Sequence, residues 1–273
     1  MGISTLQLME NAGKAISDEV ATRFARGAEI IVYAGTGRNG GDGMVAARHL
    51  AARGYHVTLI LIGSQSEIRD DSTLRNWRAI SKMLESVTIE LAQDSSQIAS
   101  RKCDVVIDAL LGTGARGNLR QPIMRAVETM NEMKCLKVAV DVPTGIESDT
   151  GEILGTALKA DLTITYHARK PGLRIAKQYC GEIKVVEIGI PREAEIYAGP
   201  GDVEDVTEAR APEAHKGDFG RLLVIGGSEI YSGAPALVAL AALRTGVDLA
   251  FVAAPEKTAS SIASFSPNLI TIK

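Results

Sequence analysis

The sequence predicts an α/β protein built in three layers, with helices on both faces of a mostly parallel sheet, followed by a second and shorter α/β segment. Three observations carry this expectation. Short aliphatic runs recur along the chain and are continuous rather than alternating, the pattern of strands buried on both faces. Stretches of helical spacing separate them, which makes successive strands parallel and joined by right-handed crossovers. Glycine is abundant, 27 of 273 residues, and gathers just after three of the runs, where ligands of such sheets bind.

The elements follow in order. Ser4 with Gln7 makes a capping-box signature, and Met9, Ala12, Ile16, Val20 and Phe24 then line one face of a helix. EIIVYAG (Glu29–Gly35) reads as a strand ending in glycine, followed by a helix from about Asp42 to Gly54. HVTLILIG (His56–Gly63) is the next strand; Leu74, Trp77, Ile80 and Leu84 mark another amphipathic helix. SVTIEL (Ser86–Leu91), CDVVIDALLG (Cys103–Gly112), a helix with Pro122 in its first turn, and CLKVAVDVP (Cys135–Pro143) continue the alternation. From Leu162, LTITYH and KVVEIG finish the sheet with no long helix between them. A stretch holding Pro191, Pro200 and Pro212 marks a domain boundary. Beyond it RLLVIGG, a helix over Ala234–Thr245, LAFVAAP, a shorter helix and NLITIK read as βαβαβ.

Composition narrows the function classes. The chain carries 30 Lys+Arg against 33 Asp+Glu, a net charge of -3, and a pI near 5.9. That argues against a binder of nucleic acid or of anionic membranes, whose affinity comes from basic excess. The apolar run Ala234–Leu243 is far short of a membrane span, and the N-terminus lacks a signal pattern. Cys103, Cys135 and Cys180 are far apart in sequence with no CxxC spacing, so neither a disulfide framework nor a zinc site is indicated, and a reducing, cytoplasmic setting fits.

The three Gly-rich loops carry the candidate chemistry. GTGRNGGDG (Gly35–Gly43) is neither the Rossmann GxGxxG fingerprint nor a P-loop, since no GK[ST] closes it; it is a ligand cradle at a helix N-terminus or a tight βα turn with Asp42 as a simple N-cap. Asp108 stands four residues before GTGARG (Gly112–Gly117), at the end of a strand, where it can bind a cation, act as acid or base, or be satisfied by its own loop. In VPTGIESDTG, Asp141 and Thr144 can hold a ribose or an ion, or form a simple turn. Lys170 in ARKPG reaches the same crest or lies on the surface. The four histidines show no metal-ligand spacing.

LMENAG (Leu8–Gly13), GTGRNGGDGMVAARHL (Gly35–Leu50), DALLGTGARG (Asp108–Gly117), DVPTGIESDTG (Asp141–Gly151), KADLTITYHARKPG (Lys159–Gly172) and EIGIP (Glu187–Pro191) occur in order and together resemble the NAD(P)H-hydrate epimerase family, which has a Rossmann-like fold. His215–Gly246 resembles the opening of the ADP-dependent NAD(P)H-hydrate dehydratase domain, a ribokinase-like fold that follows the epimerase in bifunctional repair proteins. The resemblance implies an epimerase domain over 1–199 and the start of a dehydratase domain over 200–273, stopping before the loop that holds nucleotide phosphates.

Several expectations follow from the resemblance. The activity is interconversion of R- and S-NAD(P)HX, hydrated NADH or NADPH, at C6 of the nicotinamide ring, coupled to a dehydratase. Substrate is held by Arg38, Asn39, Gly40, Gly41 and Asp42, by Gly112, Thr113, Gly114, Ala115, Arg116, Gly117 and Asn118, and by Asp141. Asn39, Asp108 and Thr144 hold a potassium ion, and Asp108 or Asp141 carries the proton. A homo-oligomer is expected, with no nucleic-acid or membrane partner. Two departures stand out: Arg38-Asn39 replaces a usual pair of asparagines, and Thr144 stands where serine is commoner. A non-catalytic nucleotide-binding scaffold and part of an ADP- or ATP-dependent dehydratase remain as alternatives.

Overall fold

The computed structural model describes residues 2–206 and 210–273, so residues 207–209 of the proposed boundary lie outside the described residues. The chain divides into two compact units, Met1–Tyr197 and Ala198–Lys273.

In the first unit α1 (Thr5–Arg23) begins on the expected capping box: the Ser4 side chain accepts from the Gln7 N–H, and Gln7 Oε1 accepts from the Ser4 N–H at 2.9 Å. Then come β1 (Glu29–Ala34), α2 (Arg38–Ala52), β2 (His56–Ile62), α3 (Asp71–Ile80), β3 (Val87–Ala92), β4 (Val105–Ala109), α4 (Ile123–Glu132), β5 (Leu136–Val140) and β6 (Leu162–Tyr166). Two short helices, α5 (Pro171–Ile175) and α6 (Lys177–Cys180), lead to β7 (Glu182–Val186) and α7 (Glu193–Ile196). The strands form one sheet in the order β3-β2-β1-β4-β5-β6-β7, with every neighbour parallel. The chain winds outward from β1 to β3, then returns to β4 and winds the other way. This is a doubly wound, Rossmann-like sandwich whose direction reverses between β1 and β4, the place where such sheets open a crevice.

The central strands are buried on both faces, as their continuous aliphatic runs predict. On one face Val32, Leu59, Ile107 and Val140 pack with Ile16 and Val20 of α1 and Met44 and Leu50 of α2. On the other, Tyr33, Ile60, Val106 and Ala139 pack with Ala126, Val127 and Met130 of α4.

Three local expectations change. The second helix starts at Arg38, with Gly37 as its N-cap, so Asp42 lies inside the helix rather than capping it. Glycine disfavours a helix interior, but packing overrides propensity here. A Cβ on Gly40 would lie 1.8 Å from the Gly35 carbonyl oxygen, and one on Gly43 2.4 Å from Ala109 Cβ. Helix α3 ends at Ile80, leaving Leu84 79% exposed beyond it rather than on its buried face. Pro122 occupies the N-cap of α4 instead of its first turn.

The second unit holds α8 (Pro200–Val206), β8 (Arg221–Ile225), α9 (Gly233–Arg244), β9 (Leu249–Ala253), α10 (Glu256–Ala263) and β10 (Leu269–Ile272). Its strands form a small parallel sheet in the order β10-β9-β8. Ala236 and Ala239 of α9 and Ile262 of α10 pack on Ala250, Val252 and Leu269. Among the described residues no helix is long and apolar enough to cross a membrane.

Candidate active site

The register brings the strand-end acids together. Tyr33 pairs with Asp108 and Ala34 with Ala109, so β1 and β4 end side by side, and Asp108 pairs in turn with Ala139 on β5. The loops beyond these ends meet around a cleft of about 450 Å³ lined by Gly37, Arg38, Asn39 and Asp42, by Leu110, Leu111, Gly112, Thr113, Gly114 and Ala115, and by Asp141. A shallower cavity of about 750 Å³, lined by Thr5, Thr36, Glu67, Asp70 and Ser72 among others, adjoins it and shares Gly37 and Arg38. Arg38 Nε donates to Asp70 Oδ2 at 2.9 Å, fixing the guanidinium at the junction.

Asp141 has the geometry of a poised group. Its backbone is in the left-handed region, φ 65°, a conformation tolerated by Asp and Asn and retained where the surroundings enforce it. Its N–H donates to the Ile164 carbonyl at 2.7 Å. Oδ1 accepts from Lys170 Nζ at 2.5 Å, Thr165 Oγ1 at 3.1 Å and the Tyr166 N–H at 3.4 Å. Lys170 Nζ also donates to Thr165 Oγ1 and to the Tyr166 carbonyl, so its three protons all have acceptors. All the hydrogen bonds to the carboxylate fall on Oδ1, leaving Oδ2 with no protein donor among the described residues.

Asp42 complements it. Its carboxyl has no hydrogen-bond partner among the described residues, and burial, with the charges of Asp141 and Asp70, raises its pKa well above the ordinary carboxylate value against the pull of Lys170. The cleft therefore holds a carboxylate paired to an ammonium and a carboxyl whose pKa is raised by burial and neighbouring charge, the separation of roles that acid–base chemistry uses.

Asp108 lies beneath the cleft, fully buried. Oδ1 accepts from Thr144 Oγ1 at 2.7 Å and from the Leu110 N–H at 3.2 Å, and Oδ2 from the Thr144 N–H at 2.8 Å. Burial pushes its pKa up to about 6, partly offset by these donors. Asn39 is buried as well; its Oδ1 is 3.3 Å from where a Cβ on Gly112 would sit, and its Nδ2 has no partner. An unpaired buried amide is costly, so this atom signals a ligand. Asn39, Asp108 and Thr144 offer hard oxygen donors with a single negative charge, a set suited to an alkali cation.

Other expected site residues do not line this cleft. Gly40 and Gly41 are needed for packing: a Cβ on Gly41 would strike the Met9 thioether at 2.5 Å. Arg116 pairs with Glu147 Oε1 at 2.6 Å, and Gly117 and Asn118 lie off the lining with it. Sequence reasoning passed over Gly37, Leu110 and Leu111, the last two because they extend an apolar strand run. It also passed over Asp70, whose only sequence signal is its position as the N-cap of α3.

Comparisons with known proteins agree with this architecture. Residues 5–172 match the model of the family described as YjeF-related protein N-terminus, and residues 222–273 match the model described as NAD(P)H-hydrate dehydratase. The chain is 49% identical over 272 residues to the bifunctional NAD(P)H-hydrate repair enzyme Nnr of Hyperthermus butylicus, covering 100% of this chain and 50% of that protein. It is 40% identical over 195 residues to the NAD(P)H-hydrate epimerase of Cenarchaeum symbiosum, covering 71% of this chain and 90% of that one. The chain thus spans about half the length of the bifunctional relatives it matches. Its fold is shared with the crystal structure of yeast YNL200c, with a TM-score of 0.59 at 24% identity over 78% of this chain and 88% of that one. With 168 of its 273 residues, more than half, matched by the first family model, the chain belongs to the YjeF-related N-terminal family.

Proposed function

We propose that the first unit is an epimerase that interconverts R- and S-NADHX and R- and S-NADPHX. The observation that carries this reading is the meeting of Asp141 Oδ2, Asp42 and the unpartnered Asn39 amide in one cleft at the β1/β4 reversal. C6 of the hydrated ring bears both a nitrogen and a hydroxyl. Its configuration inverts if the C–O bond breaks with help from the nitrogen lone pair, or if the ring opens to an aldehyde. The first route needs a proton delivered to the departing hydroxyl and one removed from the water that re-adds; the second needs a proton removed from the hydroxyl and one delivered to the ring nitrogen, and two carboxyl groups whose pKa values are pushed apart supply either. In this reading Asp42 donates and Asp141, held by Lys170, accepts. The adjoining cavities suit a two-part ligand: the damaged nicotinamide sits in the inner cleft, and the rest of the dinucleotide passes Arg38, whose guanidinium meets a phosphate at the junction.

Potassium fits the buried oxygens of Asn39, Asp108 and Thr144, and when bound it supplies positive charge that offsets the Asp108 carboxylate below the Gly112–Ala115 loop. A thermal shift in potassium chloride but not in choline chloride, abolished in Asp108→Asn, tests this apart from activity. Relatives that carry a dehydratase further suggest that the S-epimer made here is passed to such an activity.

The decisive experiment incubates pure R-NADHX with the protein and follows formation of S-NADHX. Acceleration over the spontaneous rate, lost in Asp141→Asn, is expected; a rate equal to the spontaneous one removes the enzymatic reading.

A further inference from the structure

The edge of the sheet opposite the cleft brings together two groups that the chain order keeps apart. Cys103 lies two residues before β4 and Cys135 one residue before β5. These strands are paired from Val105 with Leu136 onward, and the Leu136 N–H donates to the Asp104 carbonyl at 3.1 Å. The register of two central strands thereby holds the thiols side by side, Cys103 Sγ donating to Cys135 Sγ at 3.3 Å. The sequence spacing indicates no disulfide framework, and the three cysteines are free thiols; that two of them meet is set by the fold. Both are half-buried, whereas Cys180 is fully buried. A surface hollow of about 540 Å³, lined by Arg101, Lys102, Cys103, Glu132 and Lys134 among others, opens Cys103 to solvent beside its half-buried partner.

We propose that Cys103 and Cys135 are a redox-active pair that a hydroperoxide oxidises to an intrachain disulfide. The thiolate of Cys135 attacks the peroxide O–O bond, forming a sulfenic acid and releasing an alcohol or water once a proton is taken up. The Cys103 sulfur then attacks the Cys135 sulfur, its proton leaves with the sulfenic oxygen as water, and the S–S bond forms. Two electrons pass from the sulfurs to the peroxide, and no other reductant or oxidant is needed. The contact between the two sulfurs holds the Cys135 pKa below its ordinary value, with further help from Lys137 and the Val106 N–H, against the effects of burial and of Asp161. The same contact holds the Cys103 proton in place. The bond would tie the starts of β4 and β5, closing a loop over residues 103–135.

The test exposes the whole chain to hydrogen peroxide, alkylates it under denaturing conditions and weighs it. The expected result is loss of two hydrogens, one remaining alkylation at Cys180, and a linked Cys103–Cys135 peptide. The transition temperature should rise by about 5–10 °C and return on reduction, as closure of a loop of this length implies. In Cys103→Ser, a sulfenic acid trapped by dimedone at Cys135 is expected. Three free thiols after peroxide, separate sulfinic acids without a link, or crosslinks between chains would each overturn the proposal.

Discussion

The first unit's sheet and the second unit's sheet obey one construction rule and are closed differently. In the first, α1 and α2 cover one face and α4 the other, so β4 and β6 are buried at every position. In the second, α9 and α10 cover one face only, and the strands alternate: Leu223 and Ile225 of β8 and Ile270 and Ile272 of β10 are exposed. A parallel sheet is stable when both faces are covered. The same difference appears in the glycines. In the first unit they let α2 approach β4 and the Gly35 turn closely, whereas Gly233 at the start of α9 meets nothing within 4 Å. Complete closure lets the first unit hold a fully buried Asp108 beneath its crest.

The largest test separates the units. A chain of residues 1–197 should unfold in one cooperative urea transition, while residues 198–273 alone should show no cooperative transition and should bind a hydrophobic dye, because a domain of that size with an open sheet face buries too little. Cooperative unfolding of the second piece would break the comparison.

Asp141→Asn addresses the charge that closure permits. Asparagine accepts the left-handed backbone, so the fold should be retained by circular dichroism while epimerisation falls about 10²–10⁴-fold. Loss of folding instead would mean that the Lys170 pair serves stability.

Glycine substitutions sharpen the packing contrast. Gly40→Ala forces a Cβ toward the Gly35 carbonyl and should cost about 2–3 kcal/mol in denaturant unfolding. Gly233→Ala, with open space around it, should change stability by about 0.5 kcal/mol or less.

A further effect is in pH dependence. Glu19 on α1 is buried against Lys184 of β7 and Arg23. Burial alone would raise its pKa, but the two cations hold it below the usual value of 4.5. A carboxyl depressed in the folded state contributes stability above its unfolded pKa and loses it as pH falls below about 4.5 through the folded value. Glu19→Gln should therefore cost about 2 kcal/mol at pH 7 and flatten the stability curve below pH 4.5. An unchanged acid limb in the variant would show that the α1–β7 tie is not electrostatic.

Much of this was legible in the chain. The capping box at Ser4 and Gln7, the strand runs and the acids at strand ends depend on local spacing, and local spacing survives folding. The site was legible in part. Asn39, Asp42, the loop from Gly112 to Ala115 and Asp141 do line the cleft, because motifs just after parallel strands project to one edge. Gly40, Gly41 and Arg116 do not, since whether a loop residue faces ligand or protein depends on neighbours distant in sequence: Met9 for Gly41, Glu147 for Arg116.

The sequence by itself determined the layering, the strand direction and the edge on which the chemistry gathers, since hydrophobic period and the handedness of crossovers leave few alternatives. Only the tertiary structure decided which oxygen of Asp141 is left free, that Asp108 lies under the cleft rather than in it, and that Cys103 meets Cys135. Each of these is set by the pairing of strands remote in sequence, and the register of such pairs is chosen by the whole core at once.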